Sequence, residues 1–155
     1  MDMAQVARSE IYEKYAQDLV RFATGLAGPD TGPDLVSAAM VSVLWSPSWE
    51  DVHNPRAYLY RAVLNEARRN YRTTMRRAAA ETKAAVPAGI AAPEVHPEVL
   101  EAVGSLSVRQ RAVVFLAYWE DLRPAEIARR LGLSEGTVHR YLSRAESRLR
   151  RMLHD

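Results

Sequence analysis

The sequence has no cysteine. That excludes disulfides, thiolate-bound zinc, iron–sulfur clusters and thiol nucleophiles together. It has no apolar run near the roughly 20 residues that cross a bilayer. Its first residues, MDMAQVARSE, contain no apolar core of a signal peptide. The expectation is a cytoplasmic protein with no membrane contact of its own. Apolar–polar alternation of strand length is missing, and so is an Asn-Gly hairpin signal. Lysine is scarce too: of 21 basic residues only Lys14 and Lys83 are not arginine. Guanidinium forks bind phosphate and stack on bases in ways an ammonium does not. Four histidines, His53, His96, His139 and His154, show no metal-ligand spacing such as HExxH. With no Gly-rich phosphate loop and no nucleophile elbow, the chain is expected to be neither an enzyme nor a metal or cofactor binder.

What the sequence does have is charge sorted along its length. The net charge is only +2. Residues 1–60 carry 4 basic and 8 acidic side chains, whereas 61–80 carry 6 basic and 1 acidic. A second basic block follows in 121–155, with 8 basic and 5 acidic. Two basic blocks with a near-neutral stretch between them suggest two contacts with a polyanion.

The apolar pattern is helical throughout. Ile11, Tyr15, Leu19, Phe22 and Leu26 recur at three- and four-residue spacing, the buried stripe of a helix from about Ser9 to Ala27. Gly28-Pro29-Asp30 stops it. Thr31 and Asp34 form a capping-box-like pair, with Pro33 in the first turn of a second helix that runs to about Leu44. A loop with Trp45 and Trp49 follows. Asn54-Pro55 starts a third helix that reaches about Arg77. The stretch 78–96 is rich in Ala, Pro and Gly without apolar period and reads as a linker. Helical pattern resumes at Pro97 with a short helix to about Val103. Ser107 and Gln110 match a capping box, Pro124 opens another helix ending at Gly132, and Ser134 caps a last one ending near Leu153. The expected fold is all-α, with two small helical domains over 1–77 and 97–155 joined by a flexible linker over 78–96. The first is a three-helix bundle and the second a four-helix domain. Each is small for independent stability, so each is expected to lean on a partner.

Pro124 to Val138 carries a helix-turn-helix pattern. Ile127 and Leu131 lie four apart, Gly132 can end the first helix in the left-handed conformation, Leu133 plugs the corner, and Val138 and Leu142 face back into the angle. The second helix then offers Thr137, His139, Arg140, Ser143 and Arg144 to a major groove. Arg140 or Arg144 can read guanine edges, with Ser134 and Arg123 holding phosphates. In the third helix Arg61, Asn65, Arg68, Arg72 and Arg76 share one face, while Tyr60, Val63, Leu64, Ala67 and Tyr71 share the other. Trp45, Trp49 and Tyr58 add flat surfaces on which unpaired bases can stack.

Several segments together resemble the extracytoplasmic-function sigma factors, the members of the sigma-70 family with regions 2 and 4 only. Leu19 to Gly28 is similar to the first helix of region 2, and Asp34-Leu35-Val36 to the segment that binds the β′ coiled coil of RNA polymerase. Asn54-Pro-Arg-Ala-Tyr-Leu-Tyr-Arg61, followed by Asn65, is similar to a family signature. Arg109 to Leu122, Ala125-Glu-Ile-Ala128 and Glu135-Gly-Thr-Val138 are similar to region 4. The resemblance implies a promoter-specificity subunit that docks on core RNA polymerase through the β′ clamp coiled coil and the β flap, and that answers to an anti-sigma factor. By that resemblance Asp34, Leu35, Val36 and Met40 would meet polymerase. Asn65 and the loop 45–53 would hold a flipped base of the −10 element, and Arg61, Arg68, Arg69 and Arg72 would follow the strand. Region 4, with Arg123, Ser134, Thr137, His139, Arg140, Ser143 and Arg144, would read the −35 element as duplex.

There are departures. Ser37-Ala38-Ala39-Met40 stands where the family has Gln, an acidic residue and Phe, which makes that face less polar. His139, Arg140 and Tyr141 stand where it has Lys, Ser and Arg, which implies an altered promoter sequence. The chain stops two residues after Leu153, so no domain is expected beyond region 4. Two other readings share parts of this pattern: a stand-alone helix-turn-helix regulator, and a sigma-like interaction module that does not initiate.

Overall fold

The structure is a computed structural model that describes residues 3–80 and 97–154. Seven α-helices account for nearly all of them: α1 (Met3–Ala27), α2 (Gly32–Leu44), α3 (Pro55–Ala80), α4 (Pro97–Gly104), α5 (Val108–Tyr118), α6 (Pro124–Leu131) and α7 (Glu135–His154), with a short 3-10 helix over Pro47–Asp51 between α2 and α3. No strand occurs among the described residues. The helices α1, α2 and α3 pack pairwise into one bundle, and α4 to α7 form a second around α7 and α5.

Local sequence accounts for most helix ends. The side chain of Asn54 accepts from the backbone N–H of Ala57 at 3.1 Å and so opens α3. At α5 both arms of the capping box are made: Ser107 Oγ accepts from Gln110 N, and Gln110 Oε1 accepts from Ser107 N, each at 3.1 Å. Thr31 behaves differently from expectation. It precedes α2 in helical conformation and its side chain makes no capping bond. Gly28 turns the chain at φ 91°, and the turn that follows has Gly32 N donating to Gly28 O at 2.9 Å, so a backbone carbonyl stands where a hydroxyl cap was expected. Helix α1 begins six residues earlier than the apolar stripe suggests, at Met3, because its first turns are exposed and carry no core periodicity. Helix α3 runs on to Ala80, and the remainder of the expected linker lies outside the described residues.

The two bundles do not stand apart. One hydrophobic core runs through both, joining Leu19, Phe22, Leu26, Tyr60 and Val63 to Val113, Phe115, Leu116, Ile127 and Leu131. A smaller satellite core of Val103, Leu106, Val114 and Ala145 holds the far side of the second bundle. At the junction the Phe22 ring lies 4.8 Å from that of Tyr60 and 6.0 Å from that of Phe115. Gly25 makes the approach possible: a Cβ there would sit 2.6 Å from the Phe115 ring. Arg111 crosses from α5 and donates from Nη1 to the carbonyl of Leu26 at 2.5 Å. Arg21 joins Glu120 at 2.8 Å while also holding Asp18. Each bundle leans, as its size requires, and what it leans on is the other.

Two predictions follow from this junction. Gly25→Val drives the Phe115 ring out of its seat, so the variant should lose roughly 1–3 kcal/mol of stability and show a larger radius of gyration by small-angle scattering. Unchanged values for both would contradict the shared core. Burial pushes the Tyr60 phenol pKa up, and the nearby Arg130 guanidinium only partly opposes this. A phenol whose folded pKa lies above its unfolded value contributes stability that is complete below about pH 10 and is lost as pH rises beyond it. Denaturant melts across that range should show the alkaline loss in the parent chain and a weaker one in Tyr60→Phe.

Candidate nucleic-acid interface

The helix-turn-helix is built as its residues demand. Pro124 sits in the first turn of α6, where its missing N–H costs nothing. Gly132 ends the helix at φ 68°, a conformation a side chain would strain, and Arg61 of α3 packs within 3 Å of where a Cβ would stand. Ile127, Leu131 and Val138 are fully buried, and Leu133 and Leu142 pack against the same core. Ser134 Oγ accepts from Thr137 N at 3.1 Å and caps α7. Its hydroxyl also bonds Thr137 Oγ1 at 2.7 Å, so both side chains are held at the mouth of the helix.

On α7 the residues expected to face DNA are exposed. His139, Arg140, Ser143 and Arg144 stand on the surface, Thr137 is half-buried, and Arg123 is exposed at the start of α6. His139 Nε2 lies 3.6 Å from Glu135, and the Arg140 guanidinium rests over the Tyr141 ring at 5.9 Å. The opposite face of α7 is anchored by Val138 and Ala145. A rigid helix with one apolar side and one basic side is thus presented outward by a capped, glycine-terminated turn.

The third-helix residues divide into groups. Asn65, Arg61 and Arg69 line a cleft of about 320 Å3 with Ser42, Val43, Tyr58, Ala62 and Glu66. Arg69 is paired with Glu66 at 3.1 Å, which leaves Arg61 as the other cation among the described lining residues. Arg68 and Arg72 are not part of it; they face a second cleft between the bundles. Among the described side chains of the loop 45–53, none lines the Asn65 cleft. Trp49 is buried, edge-on to Tyr58 at 5.7 Å with Arg8 over its ring, so it serves the core rather than a base. Trp45 is 84% exposed at the end of α2.

The residues expected to face polymerase divide by exposure. Leu35 and Val36 are buried, at 4% and 1% exposure, because the inward stripe of α2 packs on α1 and α3. Asp34 is exposed and Met40 half-buried, and the outward face of α2 continues through Ser37, Ala38, Val41 and Ser42 to Trp45. Sequence reasoning missed Val41, 58% exposed. The signal was available: it falls three and four residues from Ala38 and Ser37 on the polar side of the stripe. It also missed Glu66, which reads in the sequence as a stray acid within a basic helix.

No helix among the described residues is long and apolar enough to cross a membrane, and none of their His, Asp and Glu side chains cluster as a metal site. The family model for Sigma-70 region 2 matches residues 11–77, and that for Sigma-70, region 4 matches residues 96–149. The RNA polymerase sigma-E factor of Streptomyces coelicolor is 31% identical over 159 residues, which cover 97% of this chain and 89% of that protein. The sigma-E factor of Streptomyces avermitilis is also 31% identical, covering 99% of this chain and 89% of its own. In fold, the chain is similar to the sigma factor RpoE of Bartonella quintana, solved in complex with the anti-sigma factor NepR: TM-score 0.71, 21% identity, 94% of this chain and 96% of that one. It is similar also to CnrH, solved with the cytosolic domain of CnrY: TM-score 0.63, 23% identity, 97% and 89% coverage.

The capping geometry gives Ser134 a structural role that the exposed Ser143 does not share. Ser134→Ala should cost about 1 kcal/mol of stability, as loss of an N-cap does. Ser143→Ala, an exposed position, should stay within about 0.5 kcal/mol of the parent. Thermal melts of the two variants check this.

Proposed function

The chain belongs to the extracytoplasmic-function branch of the sigma-70 family and is an RNA polymerase sigma factor; from that premise we propose how its residues divide the work. The observation that carries the assignment is the pairing, in one chain, of an outward recognition helix with a second basic helix that carries a small polar cleft.

Region 4 reads the −35 element as duplex. Arg144 and Arg140, exposed on α7, reach base edges in the major groove, with Thr137, His139 and Ser143 beside them. Arg123 and the capped mouth of α7 at Ser134 hold phosphates, where backbone N–H groups and the helix dipole favour an anion. Region 2 captures an unpaired base of the −10 element. Unpairing a base costs a few kcal/mol, and a pocket that hydrogen-bonds the exposed edge offsets it. Asn65 has both a donor and an acceptor for such an edge, and Tyr58 and Val43 form the wall beside it. Arg61 and Arg69 at the rim, and Arg68 and Arg72 further along α3, follow the strand backbone. Core polymerase docks on the outward face of α2, with Asp34 and Met40 in the contact, and on the β flap side through region 4. The relatives solved with anti-sigma factors make such a regulator a partner for this chain as well. The polymerase supplies the catalysis, and the protein acts where polymerase does, in the cytoplasm.

In vitro transcription with purified core polymerase over a randomised promoter library tests the whole reading. Transcripts sharing a −35/−10 pair are expected only when the protein is present. Arg144→Ala should weaken use of the −35 element, and Asn65→Ala should impair opening near −10 while leaving duplex binding intact. Duplex binding by the protein alone with no transcripts would instead favour a stand-alone regulator, and tight core binding with no transcripts a non-initiating module.

A further inference from the structure

A cleft of about 620 Å3 lies between the two bundles and shares no lining residue with the Asn65 cleft. Arg68 and Arg72 enter it from α3, Arg109 from α5 and Arg148 from α7, with the rings of Tyr71 and Tyr141 beside them. Among the described residues, no acidic side chain lines it. Arg148 is steadied there by donating from Nε to Ser105 Oγ at 3.1 Å.

These cations stand where helix physics disfavours them. Arg68 and Arg72 are four apart on one helix, a like-charge pair that repels. Arg109 is the second residue of α5, at the positive end of the helix dipole. Burial lowers the pKa of Arg68 first, and the charges of Arg109 and Arg72 lower it further. Among the described contacts, no carboxylate in the cleft offsets this crowding. An anion would.

We propose that this cleft is a binding site for a small oligophosphate anion, free or carried by a nucleotide, gripped by Arg68, Arg72, Arg109 and Arg148. Guanidinium forks pair bidentately with phosphate oxygens, and four of them suit an anion with several phosphates better than a single carboxylate. The volume falls in the range of small-molecule sites. The ligand touches α3 in the first bundle and α5 and α7 in the second, so it binds only while the two are docked. By linkage it stabilises that docked arrangement. It also engages Arg68 and Arg72, and so competes with a nucleic-acid strand for them. The site shares Arg68 and Arg72 with the strand-following role proposed above, whereas Arg109 and Arg148 belong to the cleft alone, so variants of those two test it separately.

Inorganic tripolyphosphate is the probe. The full chain and its Arg109→Gln variant are compared by calorimetric titration and thermal melting at fixed ionic strength. Tripolyphosphate should bind the parent chain and raise its melting temperature, and should bind Arg109→Gln about tenfold or more weakly, roughly the worth of one charge-assisted contact. Without the anion, Arg109→Gln should melt no lower than the parent, because it removes repulsion. Arg148→Gln, on the exposed surface of α7, should weaken binding in the same way. No binding by the parent chain, equal binding by both variants, or equal stabilisation by sulfate would overturn the site. A lower melting temperature of anion-free Arg109→Gln would make Arg109 a structural residue and overturn it too. If a single-stranded oligothymidylate binds with the same dependence on Arg109 and tripolyphosphate does not displace it, the cleft is a track for DNA backbone and the proposal fails.

Discussion

A single guanidinium ties the molecule together. Arg111 is 4% exposed, the one buried charged residue among those described. It reaches from α5 to the last turn of α1, where the Leu26 carbonyl has no partner within its own helix. The negative end of the α1 dipole and the face of Tyr71, 5.7 Å away, receive the charge. Burial lowers its pKa and the Tyr71 side chain opposes this; a guanidinium stays protonated all the same. Its Nε is left without a hydrogen-bond partner, so the contact is good but incomplete. Removing the carbonyl by moving α1 away would leave a bare charge in an apolar core, a cost of several kcal/mol. The position of α1 against α5 is thereby fixed. The meeting of Phe115 with Gly25, and of Arg130 with the Tyr60 ring at 5.0 Å, follows from it.

This docking sets what the nucleic-acid surfaces look like. Helix α6 lies on α3, and its terminal glycine rests against Arg61. The recognition face of α7 remains open, whereas Arg68 and Arg72 of the basic third helix look toward the second bundle. The two surfaces are therefore unequally accessible within one arrangement, duplex-reading residues outward and part of the strand-following residues inward.

The sequence was most legible where structure is local. The capping box at Ser107 and Gln110, the left-handed Gly132 and the buried Ile127, Leu131 and Val138 all depend on residues a few positions apart. So do the starts of α3 and α7. Legibility failed where a residue serves something distant. Arg111 reads as one more surface charge in a helix, because nothing in its neighbourhood announces a carbonyl in α1. Phe115 reads as the core of its own bundle. The stripe of Arg61, Asn65, Arg68 and Arg72 reads as one surface, since periodicity reports a face of a helix and not which neighbour covers it. The resemblance places Leu35 and Val36 in a polymerase-binding segment, and it is their apolar character and helical spacing that mark their side chains for the core.

The bond between Arg111 and Leu26 spans 85 positions of the chain. Contacts so far apart in sequence close late, because the loop between them must be ordered before they yield any gain. Within the first bundle the contacts are mostly between consecutive helices, whereas in the second α7 closes back on α4 and α5. Joining the two bundles thus closes a longer loop than any helix pair within the first bundle does. The ordering cost of the fold is therefore concentrated at the junction, and the core that both bundles share is what offsets it.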